Sequence, residues 1–178
     1  MRLINSFVHD SYKEAVNPCV LERVAARGII MDGDDILMIY TKRYNDYSFP
    51  GGGVDQGEIV EEGLFRELEE ETGAENIHLI SPFGSYEEFR PTHYKGYDMV
   101  HMISLFYVCS ANRELGQAHP EEYELKNGSE PIWVNIHDAI EHNRKVMEAK
   151  EASMGLSIER ETIVLELIVE ELIEKRSA

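Results

Sequence analysis

The chain has 178 residues, 43% apolar and 29% charged, which suits one folded domain with a sizeable core rather than a disordered chain. Acidic residues number 34 against 17 basic, giving a net charge of −17. That balance argues against a duplex nucleic-acid binder, which needs basic surface to displace counterions. One domain is expected over residues 1–178.

Residues 1–18 are mixed and form an N-terminal extension of unassigned structure, without the apolar core of a secretion signal. Residues 20–31 read as a strand, 32–35 (Asp-Gly-Asp-Asp) as a hairpin turn and 36–42 as the partner strand. Residues 47–49 form a short strand ending at Pro50. A glycine run, 51–53, leads into a helix over 59–72 that Gly73 stops. Ile59, Leu64 and Leu68 are the helix positions expected to face the sheet. Residues 77–90 are extended, with Pro82 and Gly84 marking a break. Residues 97–109 are apolar on both alternating faces, as in a buried central strand. The most apolar stretch, 99–111, contains His101 and Ser104 and is too short to span a bilayer. Residues 110–130 read as a polar loop, 132–134 as a strand, and 136–149 and 156–175 as helices. A mixed sheet between helices follows, hence an α/β layered domain. Cys19 and Cys109 lie far apart and read as reduced, which fits the cytoplasm.

The helix after the glycine run carries Arg66, Glu67, Glu70 and Glu71. A helix turns about 100° per residue, so positions 67, 70 and 71 share one narrow face. Carboxylates crowded there repel one another unless a cation joins them. Their all-oxygen character suits a hard ion, Mg²⁺ or Mn²⁺. Arg66 stands four residues before Glu70, the spacing of a helical ion pair.

Gly52, Glu58, Arg66, Glu67, Leu68, Glu70, Glu71, Gly73 and Ala74 stand in the spacing of a known family, and the chain resembles the Nudix hydrolases. Ala74 departs from the larger aliphatic usual at its position, a packing change that touches no metal ligand. The resemblance implies an α/β/α sandwich with a mixed sheet and Mg²⁺-dependent cleavage of a pyrophosphate linkage. It implies Glu67, Glu70 and Glu71 as metal ligands, with a carbonyl of Gly51 or Gly52 as a further one. It gives Arg66 the orienting of these carboxylates, and Glu58 and Gly73 the support of the loop and helix ends. Glu71 is the first candidate for general base, with Glu121, Glu122 and Glu124 in the later loop as rivals.

Arg43, placed on the strand entering the site, Phe49 and Arg90 are the candidate substrate contacts; Lys95 and His93 are weaker ones. Tyr47, Tyr86, Phe89, Tyr94 and Tyr97 flank the expected cleft, and His101 reads as a hydrogen-bonded core residue. The expected substrate is a small nucleotide, either ADP-ribose or a nucleotide sugar. A nucleoside triphosphate, oxidised or not, is the alternative, and a catalytically silent nucleotide sensor is the second. The last helix is apolar over more than one face, which predicts that part of it packs on a second subunit as a homodimer.

Overall fold

The structure, a computed structural model, describes residues 1–92 and 94–176. The chain opens with strand β1 (Leu3–Val8) and one short helix, α1 (Asp10–Glu14). β2 (Val20–Asp32), β3 (Asp35–Thr41) and β4 (Asp46–Ser48) precede helix α2 (Val60–Thr72). β5 (His78–Pro91) and β6 (Met99–Ser110) follow, then α3 (Glu122–Asn127) and β7 (Ser129–Asn135). Helices α4 (Ile136–Ala149) and α5 (Ile158–Ile168) come last. α5 runs on into a π-helical turn, Val169–Ile173, and a 3₁₀ turn, Glu174–Arg176.

The strands lie in the order β1-β5-β6-β2-β3-β4, and β7 pairs with β3. β1 runs parallel to β5 and β2 parallel to β6, while the remaining pairings are antiparallel. The sheet is therefore mixed, with helices on both faces. Strand alternation explains the layers. Ala26 and Ile30 of β2 face α2, where Leu64 and Leu68 close a small core with Leu37, Tyr107 and Cys109. Ile29 of β2 faces the other way, into the larger core. There Phe49, Phe106 and Ile36 meet Ile136 and Ile140 of α4 and Val164, Leu165 and Ile168 of α5.

Several expectations change. The N-terminal extension is structured: β1 adds a strand beside β5, and Arg2 pairs with Glu171 at 2.6 Å. Ile59 is 58% exposed because it is the residue before the first helical turn, not part of the packed face. The expected polar loop contains α3, started by a reciprocal cap between Glu121 and Glu124. The last helix buries Ile158, Val164, Leu165 and Ile168 in this chain's own core, with Ile163, Leu167 and Leu172 packed against it. Much of its wide apolar surface is thus taken up internally. His101 accepts the expected role of a bonded histidine, 2.8 Å from Glu87 and stacked on Phe89. Cys19 and Cys109 are both free. Among the described residues, no helix is long and apolar enough to cross a membrane.

Candidate active site

The glycine loop is held on the edge of β2 that β6 leaves open. Gly28 N–H donates to Pro50 O at 2.9 Å, Ala26 N–H to Gly52 O at 3.0 Å, and Val54 N–H to Val24 O at 3.0 Å. Gly51 has φ +122°, and a Cβ there would stand 2.2 Å from Ala26 O. Only glycine fits. A Cβ on Gly52 would stand 2.2 Å from a Glu67 carboxylate oxygen, so the α2 carboxylates reach right against the loop.

Arg66 joins loop and helix. Its Nε donates to Glu58 at 3.0 Å and its Nη1 to Glu67 at 2.7 Å. Its Nη2 donates to Glu58 at 3.1 Å and to Gly53 O at 3.2 Å. The contact with Glu70, expected as the main pair, is the longest at 3.4 Å. Hydrogen bonds from Arg66 and from Asp55 N–H hold the Glu58 carboxyl below the usual range. Burial pushes the Glu67 carboxyl up, and Arg66 opposes that shift.

Glu71 turns inward instead. Its Oε2 accepts Gly51 N–H at 2.6 Å. Burial raises its pKa well above the ordinary value; Arg27 and the Gly51 N–H pull down, and Glu124 adds to the rise. Arg27, which the sequence did not single out, and Glu124, one of the three loop candidates, therefore meet Glu71. Arg27 lies on β2, facing the cleft, and donates through Nη1 to Gly51 O and to Phe49 O. Strand alternation places it opposite the α2-facing Ala26, but a lone arginine on a strand gave no stronger signal. Glu124 was one of three equal candidates; its position three residues after Glu121 was the available clue. It is 7% exposed, and its Oε2 accepts Glu121 N–H at 2.6 Å. A cleft of about 420 Å³ lies here, with Arg27, Glu71, Arg90, Tyr123 and Glu124 in its wall.

The other candidates fall out differently. Glu122 is exposed and pairs with Lys126 at 2.8 Å, while Glu121 is the helix cap. Neither belongs to the cleft wall. Arg43 sits in the turn after β3, not on the strand, and donates to Asn127 at 3.0 Å. Phe49 is fully buried with its ring edge-to-face on Phe106, so it offers no surface for stacking. Arg90 does line the cleft, and its Nε is buried without a hydrogen-bond partner, as is the Nε of Arg27. Tyr47 packs against Tyr40 and His142, and of the expected aromatic residues Tyr86 lines a neighbouring cavity. His93 lies outside the described residues. Gly73 ends α2 in the left-handed conformation, φ +68°.

Glu67, Glu70 and Glu71 share the loop-facing side of α2, and their donors are all oxygen. That set suits a hard divalent cation. As the side chains stand, among the described residues no three His, Cys, Asp or Glu are gathered around one point. Arg66 draws Glu67 and Glu70 together while Glu71 turns to Gly51. Gly51 O and Gly52 O each accept one protein hydrogen bond, from Arg27 and from Ala26 N–H, and each keeps a second lone pair.

A mixed sheet between helices, with a glycine loop pressed on a helix of clustered carboxylates, defines an α/β/α sandwich of the Nudix type. The NUDIX domain model matches residues 21–154, and the chain belongs to this family. Two solved structures share the fold. A NUDIX hydrolase from Nitrosomonas europaea aligns at TM-score 0.54 and 16% identity, over 83% of this chain and 89% of that one. A NUDIX-family hydrolase from Clostridium perfringens aligns at 0.51 and 14%, over 86% and 99%. Curated relatives include an RNA pyrophosphohydrolase from Shewanella baltica, 37% identical over 67 residues, which is 35% of this chain and 38% of that protein. Another from Acinetobacter baylyi is 36% identical over 70 residues, 37% of this chain and 42% of that protein. The matched segment thus spans less than half of these relatives.

Proposed function

We propose that the protein is a divalent-cation-dependent pyrophosphohydrolase that cleaves the diphosphate of a nucleoside diphosphate joined to a second group, ADP-ribose or a nucleotide sugar. The observation that carries this reading is the pairing of the α2 carboxylates with the glycine loop, through Arg66 on one side and Glu71 on the other. Glu67, Glu70 and Glu71 would hold Mg²⁺, with Mn²⁺ as the alternative. When bound, such an ion neutralises phosphate charge and lowers the pKa of a coordinated water.

The chain's own groups supply the rest. Arg66 keeps Glu67 and Glu58 in place, so the loop and helix keep their distance. Gly51 N–H fixes one Glu71 oxygen, leaving the other to accept a proton from the attacking water. Glu124, set against Glu71, raises the affinity of Glu71 for that proton and is the second candidate base. The unpaired Nε groups of Arg27 and Arg90 supply positive hydrogen-bond donors to phosphate oxygens in a cleft of an otherwise acidic protein. The protein would act as a single domain in the cytoplasm.

A nucleoside triphosphate remains the competing substrate. The named activity of the curated relatives brings a third candidate, a 5′-terminal RNA diphosphate or triphosphate. The net charge of −17 counts against a long polyanion. All motif carboxylates are present, which counts against a silent sensor.

The test is incubation with Mg²⁺ and a panel of nucleotide sugars, dinucleotides, nucleoside triphosphates and 5′-triphosphate RNA. Release of a nucleoside monophosphate from the sugar-linked class, stopped by chelator, is expected. Turnover confined to triphosphates or RNA would replace the substrate assignment, and no turnover at all would remove the enzymatic one.

A further inference from the structure

Pro50 carries no N–H, so Phe49 and Gly51 are successive backbone donors where the chain enters the glycine run. Each donates to a carboxylate, and the two carboxylates come from helices on opposite faces of the sheet. Gly51 N–H donates to Glu71 of α2 at 2.6 Å, and Phe49 N–H donates to Glu161 of α5 at 3.2 Å. The carbonyls of the same two residues both accept Arg27. The chain from Phe49 to Gly51 is thus held by α2, by β2 and by α5, and Glu161 is the hold on the α5 side.

That hold is costly. Glu161 is 1% exposed, and a buried carboxylate loses its hydration. Arg160 offsets the charge, donating to Glu161 through Nε and Nη2, and donates in turn through Nη1 to Glu88 of β5. Three charged side chains, none more than 5% exposed, are therefore buried beside one backbone N–H. A neutral acceptor would satisfy an N–H at lower cost. A carboxylate adds a charge-assisted bond, about twice as strong as a neutral one. The link to Gly51 is stiff, because the ring of Pro50 fixes its φ, and a shift of the Phe49 peptide passes on to Gly51. Gly51 N–H sets one oxygen of Glu71, and a misplacement of about 1 Å at such a contact can cost about 10²-fold in rate. Residue 161 lies outside the segment 21–154 that the family model matches, so the support comes from this chain's own last helix.

We propose that Glu161 is a positioning residue, which holds the Phe49 peptide so that Gly51 N–H meets Glu71. It touches no reacting atom and acts through the loop. For its effect on rate the inference rests on the pyrophosphohydrolase reading, which it deepens by adding α5 to the supports of the site.

Two substitutions separate reach from charge. Glu161→Gln keeps the length and an acceptor oxygen for Phe49 N–H, while Glu88 still neutralises Arg160 and the repulsion with Asp46 is removed. Glu161→Asp keeps the charge beside Arg160 but draws the carboxylate back from Phe49 N–H by one methylene. Glu161→Met, which removes the acceptor, breaks the same bond by a second route. Urea unfolding establishes that each variant is folded under assay conditions. Exchange of the Gly51 amide is followed by NMR in the full chain without substrate, and kcat and KM are measured with Mg²⁺ and the nucleotide that the wild type hydrolyses. Glu161→Asp and Glu161→Met should lower kcat by about tenfold or more and change KM by less than about twofold. In both, the Gly51 amide should exchange faster by about tenfold or more, through local opening of the loop. Glu161→Gln should keep both quantities near those of the wild type. Wild-type kcat and Gly51 exchange in Glu161→Asp and Glu161→Met overturn the proposal, as does faster exchange with unchanged kcat. Equal losses in Glu161→Gln and Glu161→Asp overturn it too, since the buried charge and not the bond to Phe49 would then be what matters. Faster Gly51 exchange in the two bond-breaking variants, with no turnover even by the wild type, upholds the positioning and removes the enzymatic reading instead.

Discussion

At Gly51 the backbone itself makes the contacts. Its N–H holds Glu71, its carbonyl takes Arg27, and its φ of +122° brings the chain against Ala26. Gly51→Ala should therefore cost about 1–3 kcal/mol from the strained conformation alone, and activity should fall further than stability. Denaturant unfolding beside kcat/KM separates the two losses. Glu71→Gln keeps the size and the acceptor for Gly51 N–H, so the fold should survive. Turnover should drop by about 10²-fold or more, in line with loss of a ligand or base. Near-normal kcat would take Glu71 out of the mechanism.

A third residue, Asp46, makes stability depend on pH. It is 4% exposed, and burial, then repulsion from Glu161, raises its pKa to about 6. An unfolded aspartate releases its proton near pH ~4. Between these values the folded state binds more protons, so this carboxyl's favourable contribution is complete at low pH and is lost as pH rises through about 6. The loss is bounded at about 3 kcal/mol. Asp46→Asn should flatten that part of the stability profile and raise stability at pH ~8. Urea midpoints that keep the same pH slope in the variant would refute this assignment.

Elements matter through where they end. α3 exists because Glu121 and Glu124 cap each other's backbone, and that turn carries Glu124 into the cleft while Glu122 points to solvent. Glu124→Ala should cost about tenfold or more in kcat/KM. Glu122→Ala should change neither activity nor, beyond about 0.5 kcal/mol, stability. Equal effects from the two would contradict this division. α5 serves the loop from the opposite side. Glu161 accepts the N–H of Phe49 at 3.2 Å, just ahead of the glycine run, and Arg160 ties Glu161 to Glu88 of β5. Arg160→Met leaves two buried carboxylates without their cation and should destabilise by about 3–5 kcal/mol in chemical unfolding.

Across the whole molecule, what could be read from the residues depended on how local the cause was. Strand alternation in β2, the 3.6-residue period of α2 and the Arg66-Glu67-Glu70-Glu71 face are short-range patterns, and the layered fold and the carboxylate cluster followed from them. The αL stop at Gly73 and the span of α4 were legible for the same reason. Long-range pairing was not. Nothing near residue 27 announces that Arg27 will meet Gly51, or near residue 124 that Glu124 will meet Glu71. Phe49 looked available for stacking because its burial against Phe106 and α5 is set by segments more than fifty residues away. How much of the last helix's broad apolar surface this chain's own core takes up is set at long range for the same reason. The sequence by itself determined the family, the α/β/α layers and the crowding of carboxylates on one face of α2, since each depends on residue type at close, fixed spacing. Only the tertiary structure decided which arginines and which loop glutamate stand beside those carboxylates, and that a separate, largely apolar cavity lies nearby. Those contacts depend on where distant strands and helices come to rest on one another.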